Sequence, residues 1–226
     1  QWSNGSTASS QALSPVATTN YNVVYTLNGC NSLPATATIT VLPVPSITVN
    51  SPTICLGDPA LLIATANPAG GNFYWGPTAS AGNNQITVTP TQDTIIPIYN
   101  VLNGCFSDTI FSQITVNPLP VVAAITGTTS VCEGATTTLA STTTGGVWST
   151  ANTATATINS TTGVVTGVAA GTTTITYTVT NGNGCVSTQT TTVTVNAIPV
   201  VASISGTTEV CAGSTTTLAS ATTGGV

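Results

Sequence analysis

No lysine, arginine, histidine or methionine occurs in the 226 residues, and charged side chains are confined to five acids: Asp58, Asp93, Asp108, Glu133 and Glu209. An ordinary domain is about one quarter charged, so hydroxyls must do most of the solvating here. Without a cationic side chain the protein cannot neutralise nucleic-acid phosphate or follow the potential of an anionic bilayer. No nucleic-acid partner is expected. Long apolar runs are missing too: 41% of residues are hydrophobic, yet Thr and Gly interrupt every run well short of the roughly 18 residues a span requires. No membrane insertion is expected, and no basic stretch followed by an apolar core marks a signal peptide.

The same absences remove most of the catalytic repertoire. Nucleophiles lose their usual activating bases, and oxyanions and phosphates lose their usual clamps. A two-carboxylate glycosidase needs both acids in one site; Asp58, Asp93 and Asp108 fall on separate loops and strands with no motif linking them. Calcium wants clustered oxygens. Zinc wants closely spaced Cys and His, whereas no two cysteines lie within four residues of each other. The expectation is no enzyme, no catalytic residue, no cofactor and no metal. Missing lysine also removes Lys–Asn isopeptide bonds and the charge that commonly guards sheet edges, so that either glycans and neighbouring domains cover the edges or lateral edge pairing bundles the fibres.

What is present is 51 threonines, 21 glycines, six cysteines and three tryptophans. Thr172, Thr174, Thr176 and Thr178 alternate with Thr173, Ile175, Tyr177 and Val179, the period of a strand with one buried face. Residues 121–147 return at 200–226 with 21 of 27 positions identical and an offset of 79, and a more divergent copy spans 45–75. The remainder of the repeat also occurs three times, at 2–41, 75–116 and 148–195, each running from a Trp through a Tyr-bearing strand to Asn-Gly-Cys and an alternating final strand. The expected domains are therefore 1–41, the C-terminal half of a repeat; 42–116 and 117–195, complete repeats; and 196–226, an N-terminal half.

In the third repeat the pattern predicts strands at 121–126, 136–141, 146–149, 155–158, 164–166, 172–180 and 187–195, with a hairpin at Asn181 to Gly184. Seven short strands with one Trp on the third describe a two-sheet β-sandwich, so the fold class is all-β. One Trp per sandwich at a fixed place reads as core for Trp2, Trp75 and Trp148; no row of exposed aromatics suggests a carbohydrate platform. Joints such as Asn117-Pro118-Leu119-Pro120 are short and proline-stiffened, and predict stacking into a rod or filament.

The segment from Ala154 to Val179, with its Gly163-x-Val165-Thr166-Gly167 turn leading into a Thr/Ile strand, resembles the bacterial Ig-like group 2 repeat. The pattern Val-Cys-x-Gly followed by Asn-Gly-Cys, with Pro-bearing joints, is similar to tandem immunoglobulin-like repeats of very large secreted surface proteins of Bacteroidota, including gliding-adhesin-like molecules. The second repeat lacks the Val-Thr-Gly turn. The resemblance implies tandem immunoglobulin-like sandwiches outside the cell, at the cell surface, serving as a fibre or stalk.

The repeat suggests disulfides Cys55–Cys105 and Cys132–Cys185 within the complete repeats, each closing a loop of about 50 residues and contributing roughly 4 kcal/mol in the chain-entropy model, in an oxidising compartment. Cys30 and Cys211 then need partners outside their own halves. One account is a window on a longer array. The other is an inter-segment Cys30–Cys211 bond in a head-to-tail filament, because Val226 occupies the place just before the repeat's Trp and Trp2 follows residue 1. Asp93-Thr94-Ile95 and Asp108-Thr109-Ile110 look like a bacterial O-glycosylation signal, making Thr94 and Thr109 glycosylation candidates. The function expected is a structural segment of a surface fibre or adhesin stalk whose partners are neighbouring repeats or copies of itself, with surface glycans a further partner class. The alternative is a spacer or glycan-binding module of a secreted polysaccharide-degrading enzyme.

Overall fold

The computed structural model describes residues 1–76 and 81–222, and every regular element among them is a β-strand. The chain divides into two compact units, 1–118 and 119–226.

In the second unit, one sheet runs in the order Thr126–Gly127, Thr136–Ala140, Val164–Gly167, Ala156–Ile158, and the other in the order Ser130–Cys132, Val186–Asn196, Gly171–Thr180, Val147–Thr150. The alternation predicted for the long Thr-rich strand is present: Thr173, Ile175, Tyr177 and Val179 are buried, and Thr172 and Thr174 are exposed. These inward residues meet Leu139, Trp148, Val165, Val193 and Val195 in one cluster. Fully burying a Val, Leu or Ile contributes roughly 1.5–3 kcal/mol, which is what holds the two sheets face to face. This is an immunoglobulin-like sandwich.

The Gly163 to Gly167 turn has a local steric explanation. A Cβ on Gly163, whose φ is +71°, would sit 2.3 Å from the Leu139 carbonyl oxygen and 3.1 Å from the Trp148 ring. A Cβ on Gly167 would lie 2.6 Å from the Cys132 carbonyl oxygen. Glycine at both places lets the turn close against Trp148 on one side and the Cys132 strand on the other.

The first unit has the same plan between residues 46 and 117. One sheet orders Gln85–Val88, Ala60–Asn67, Ser46–Val49; the other orders Thr53–Cys55, Ile110–Asn117, Thr94–Leu102, Asn72–Trp75, Ala81–Gly82, with Cys105–Phe106 paired to Thr94–Leu102. Its core joins Leu62, Phe73, Trp75, Ile98 and Ile114. Residues 1–41 hold two small hairpins, Thr19–Val23 with Ala35–Ile39 and Thr26–Leu27 with Cys30–Asn31, and residues 196–222 hold one, Ile204–Gly206 with Leu218–Ser220. None of these strands enters either core cluster.

One expectation is corrected. The first strand of the third repeat is not 121–126 but the short pair Thr126–Gly127, and a strand the pattern did not predict, Ser130–Cys132, runs parallel to the end of Val186–Asn196. Val121–Ala123 is instead held by side chains: Ala123 N–H donates to Thr143 Oγ1 at 2.8 Å, and Gln189 Nε2 donates to the Val122 carbonyl at 3.4 Å. Sheet edges are also guarded without lysine. In both sandwiches the outermost described strands have at most four residues, and so short an edge is a poor template for another chain.

Candidate functional site

The candidate sites lie at the two poles of each sandwich and on the two half-repeats. In residues 117–195 the closing strand Val186–Asn196 starts at the hairpin that carries Cys185, where Asn181 Oδ1 accepts from Cys185 N–H at 3.0 Å, and ends beside Cys132. The chain enters at the hairpin pole. Thr143, which holds Ala123, also accepts from the Tyr177 hydroxyl at 2.7 Å, and the neighbouring Thr178 pairs with Val147. In residues 42–116 the entering segment Val44 to Ile47 shares a surface hollow with Asp108 and Ile110, next to the Cys105 hairpin. Exit is at Asn117, registered against Cys55. Each sandwich thus has an entry pole with the hairpin cysteine and an exit pole with the other.

This arrangement overturns the two disulfides expected within repeats. Along Ile110–Asn117 the closing strand rises about 23 Å, and along Val186–Asn196 about 33 Å, whereas a disulfide needs Cα atoms within about 7 Å. Cys55 and Cys105 are therefore at opposite ends of one sandwich, as are Cys132 and Cys185. Cys105 and Cys132 are free thiols, as are Cys30 and Cys211. The unpredicted parallel strand caused the error: it carries Cys132, and its counterpart carries Cys55, to the far pole.

Residues 1–41 and 196–222 form local structure like that of the matching segments in the two sandwiches. In residues 196–222 the hydrogen bonds of the complete repeat recur with an offset of 79. Ala202 N–H donates to Thr222 Oγ1 as Ala123 N–H does to Thr143, and Ser220 Oγ donates to the Ala202 carbonyl as Ser141 does to Ala123. Yet Leu218 is 54% exposed where Leu139 is 1%, and Val210 is 51% exposed where Val131 is 6%. In residues 1–41 the hairpin of Asn28 and Gly29 repeats that of Asn103 and Gly104, all four with positive φ. Ser32 and Ser107 make matching bonds, accepting at Oγ from Tyr25 and Asn100 N–H at 3.0 and 2.9 Å. Trp2 bridges Val23 as Trp75 registers with Ile98. Val226, used in the filament argument, lies outside the described residues.

Trp75 and Trp148 are buried, whereas Trp2 is half-buried with its Nε1 donating to the Ala8 carbonyl at 2.8 Å. Thr109 is exposed; Thr94 is half-buried and donates to the Gln92 carbonyl at 2.8 Å. The sequence showed no row of aromatics, but the fold assembles one on the outer face of residues 42–116. Tyr74 stacks on Tyr99 with centroids 4.8 Å apart, and Phe106, 63% exposed, lies 6.2 Å from Tyr99. Cross-strand register, invisible to linear spacing, brings them together.

Among the described residues no group of three or more His, Cys, Asp or Glu could hold a metal ion, and no helix is long and apolar enough to cross a membrane. Residues 110–190 match the family described as bacterial Ig-like domain (group 2). That stretch is similar to a group 2 domain, and such domains are typically non-catalytic structural modules. No curated protein matches the chain. Among solved structures it is similar to the C-terminal 282-residue fragment of intimin in complex with the intimin-binding domain of its translocated receptor, at 16% identity over 71% of this chain and 65% of that one, TM-score 0.36. It is also similar to the I9–I11 tandem of titin, at 14% identity over 83% and 77%, TM-score 0.36. A Ca²⁺-stabilised adhesin that helps an Antarctic bacterium bind ice gives 14% over 84% and 60%, TM-score 0.36. The chain thus spans somewhat less than two thirds of the intimin fragment.

Proposed function

We propose that this chain is a structural segment of an extracellular bacterial surface fibre or adhesin stalk of the kind found in Bacteroidota, built from immunoglobulin-like repeats that complete one another head to tail. The observation that carries the reading is the pair of half-repeats with formed strands and uncovered core faces. Residues 196–226 supply the opening strands of a sandwich, and residues 1–41 supply the Trp strand and closing strands that the same sandwich requires. The partner of each half is its complement in a second copy. Entry and exit at opposite poles give such a unit a direction along which to propagate, and of the two glycosylation candidates Thr109 is the exposed one, Thr94 being half-buried.

The test is light scattering of the purified chain with increasing concentration, followed by denatured mass with and without reductant. The expected result is a series of multiples that collapses to 22.3 kDa on reduction. A chain that stays monomeric at all concentrations, with Leu218 still accessible to solvent, would remove the head-to-tail element. The completing halves would then belong to flanking repeats of a longer stalk.

The second reading, a glycan-binding spacer of a polysaccharide-degrading enzyme, is favoured by one observation, the Tyr74, Tyr99 and Phe106 cluster, since stacked rings suit sugar faces. Soluble polysaccharides that bind the chain and lose binding on Tyr99→Ala would support it.

A further inference from the structure

We infer that the outer face of the sandwich at residues 42–116 binds a neutral, extended polysaccharide laid along the strand Thr94–Leu102. This rests on the glycan-binding reading above and gives it a face, a direction and a charge class. The outward positions of that strand are Ile95, Pro97, Tyr99 and Val101, because Ile98 and Asn100 are buried between the sheets. Register widens the band on both sides: Phe111 stands opposite Pro97, Tyr74 opposite Tyr99 and Phe106 opposite Val101. Ile95, Phe106 and Phe111 are 61%, 63% and 62% exposed, and the other four are half-buried. Gln113, registered with Ile95, and Asn72, registered with Val101, put an exposed amide at each end of the band.

Folding does not require this band. In the third repeat the equivalent strand, Gly171–Thr180, is likewise flanked by the Trp strand and the closing strand, but its outward positions are threonines: Thr172, Thr174, Thr176 and Thr178 register with Thr194, Thr192, Thr190 and Thr188. One sandwich solvates this face with hydroxyls, while the other leaves a contiguous apolar and aromatic band in contact with water, and such a patch marks a binding surface. Size and charge select its occupant. The three most exposed side chains and the four half-buried ones offer about 500 Å² of surface, short of the roughly 800 Å² per partner of a standard protein interface. A second copy of the chain is therefore a poor fit. The band follows one strand for about 20 Å, which suits a narrow, extended chain of sugar rings: their C–H faces pack on the aromatic side chains while Asn72 and Gln113 meet hydroxyls at either end. With five acids, no cation and a net charge of -5, the chain repels an anionic polymer, so the occupant is uncharged.

The experiment is affinity electrophoresis of the full chain in native gels containing neutral hydroxyethyl cellulose, neutral galactomannan or anionic carboxymethyl cellulose, with Tyr99→Thr, Phe111→Thr and Ile95→Thr run beside the wild type. The expected result is retardation by a neutral polymer and none by carboxymethyl cellulose, weakened about fivefold by Tyr99→Thr and about twofold by Phe111→Thr or Ile95→Thr. Equal retardation of the wild type and all three variants overturns this face and leaves glycan binding to another part of the chain. No retardation by either neutral polymer overturns both the face and the glycan-binding reading. Equal retardation by carboxymethyl cellulose overturns the charge class. A dimer in sedimentation that Phe111→Thr dissociates would make the occupant a second copy, and overturns the proposal as well. Ile95 and Phe111 are exposed, and threonine fills the outward positions of the third repeat, so their variants decide the matter should Tyr99→Thr not fold.

Discussion

Residues 121–147 and 200–226 are nearly one sequence in two situations. Both form the same small hairpin, and both bend at a glycine of positive φ, +119° at Gly127 and +133° at Gly206, where a Cβ would meet a carbonyl oxygen at 2.4 and 2.5 Å. In the first copy Val131 and Leu139 are covered by the closing strands; in the second, Val210 and Leu218 face solvent. Local hydrogen bonding therefore belongs to the segment, while burial belongs to the partner sheet. The difference teaches that the hairpin forms from its own segment, whereas burial of its apolar face requires a second sheet.

Substitutions at matched positions can break this comparison. Trp148→Ala should destabilise the second unit by about 3–5 kcal/mol in urea unfolding, because it empties a buried site against Tyr177 and Val165. Trp2→Ala, outside either core cluster, should leave that transition within about 0.5 kcal/mol. Leu139→Ala should cost about 2–5 kcal/mol. Leu218→Ala should leave unfolding of the dilute chain nearly unchanged and weaken self-association instead; equal losses at the two leucines would mean that the second face is already covered. A smaller effect comes from Tyr177→Phe, which removes a hydroxyl that donates to the Thr143 carbonyl and accepts from Gly146 N–H at 2.9 Å. The expected loss is about 1–2 kcal/mol, measured by the same unfolding midpoint. Smallest in global terms is Gly206→Ala. It should abolish hydrogen-exchange protection at Ile204–Gly206 while leaving the main melting transition in place, whereas Gly127→Ala should lower that transition.

Most of the sandwich could be read in advance because its signals are local. Thr173, Ile175, Tyr177 and Val179 announce a buried face by alternation, Asn103-Gly104 announces a hairpin by its tolerance of positive φ, and the offset of 79 announces the repeat. The parallel strand Ser130–Cys132 announces nothing. It has three residues, follows Gly and Thr that read as a turn, and is defined only by pairing with Val186–Asn196, more than fifty residues later. The cysteine connectivity depends on that strand, and so does the separation of the poles. The aromatic cluster of Tyr74, Tyr99 and Phe106 escaped notice for a related reason, since three different strands contribute to it.

That short parallel strand has a mechanical consequence. Under tension between the point where the chain enters a sandwich and the point where it leaves, Ser130–Cys132 is drawn toward one pole and the end of Val186–Asn196 toward the other. Because the two strands are parallel, their rungs, Ser130 with Thr194, Val131 with Val195 and Cys132 with Asn196, are loaded side by side and must yield together rather than one after another. A pulled repeat therefore resists by shear across three residue pairs before its core is exposed to any load.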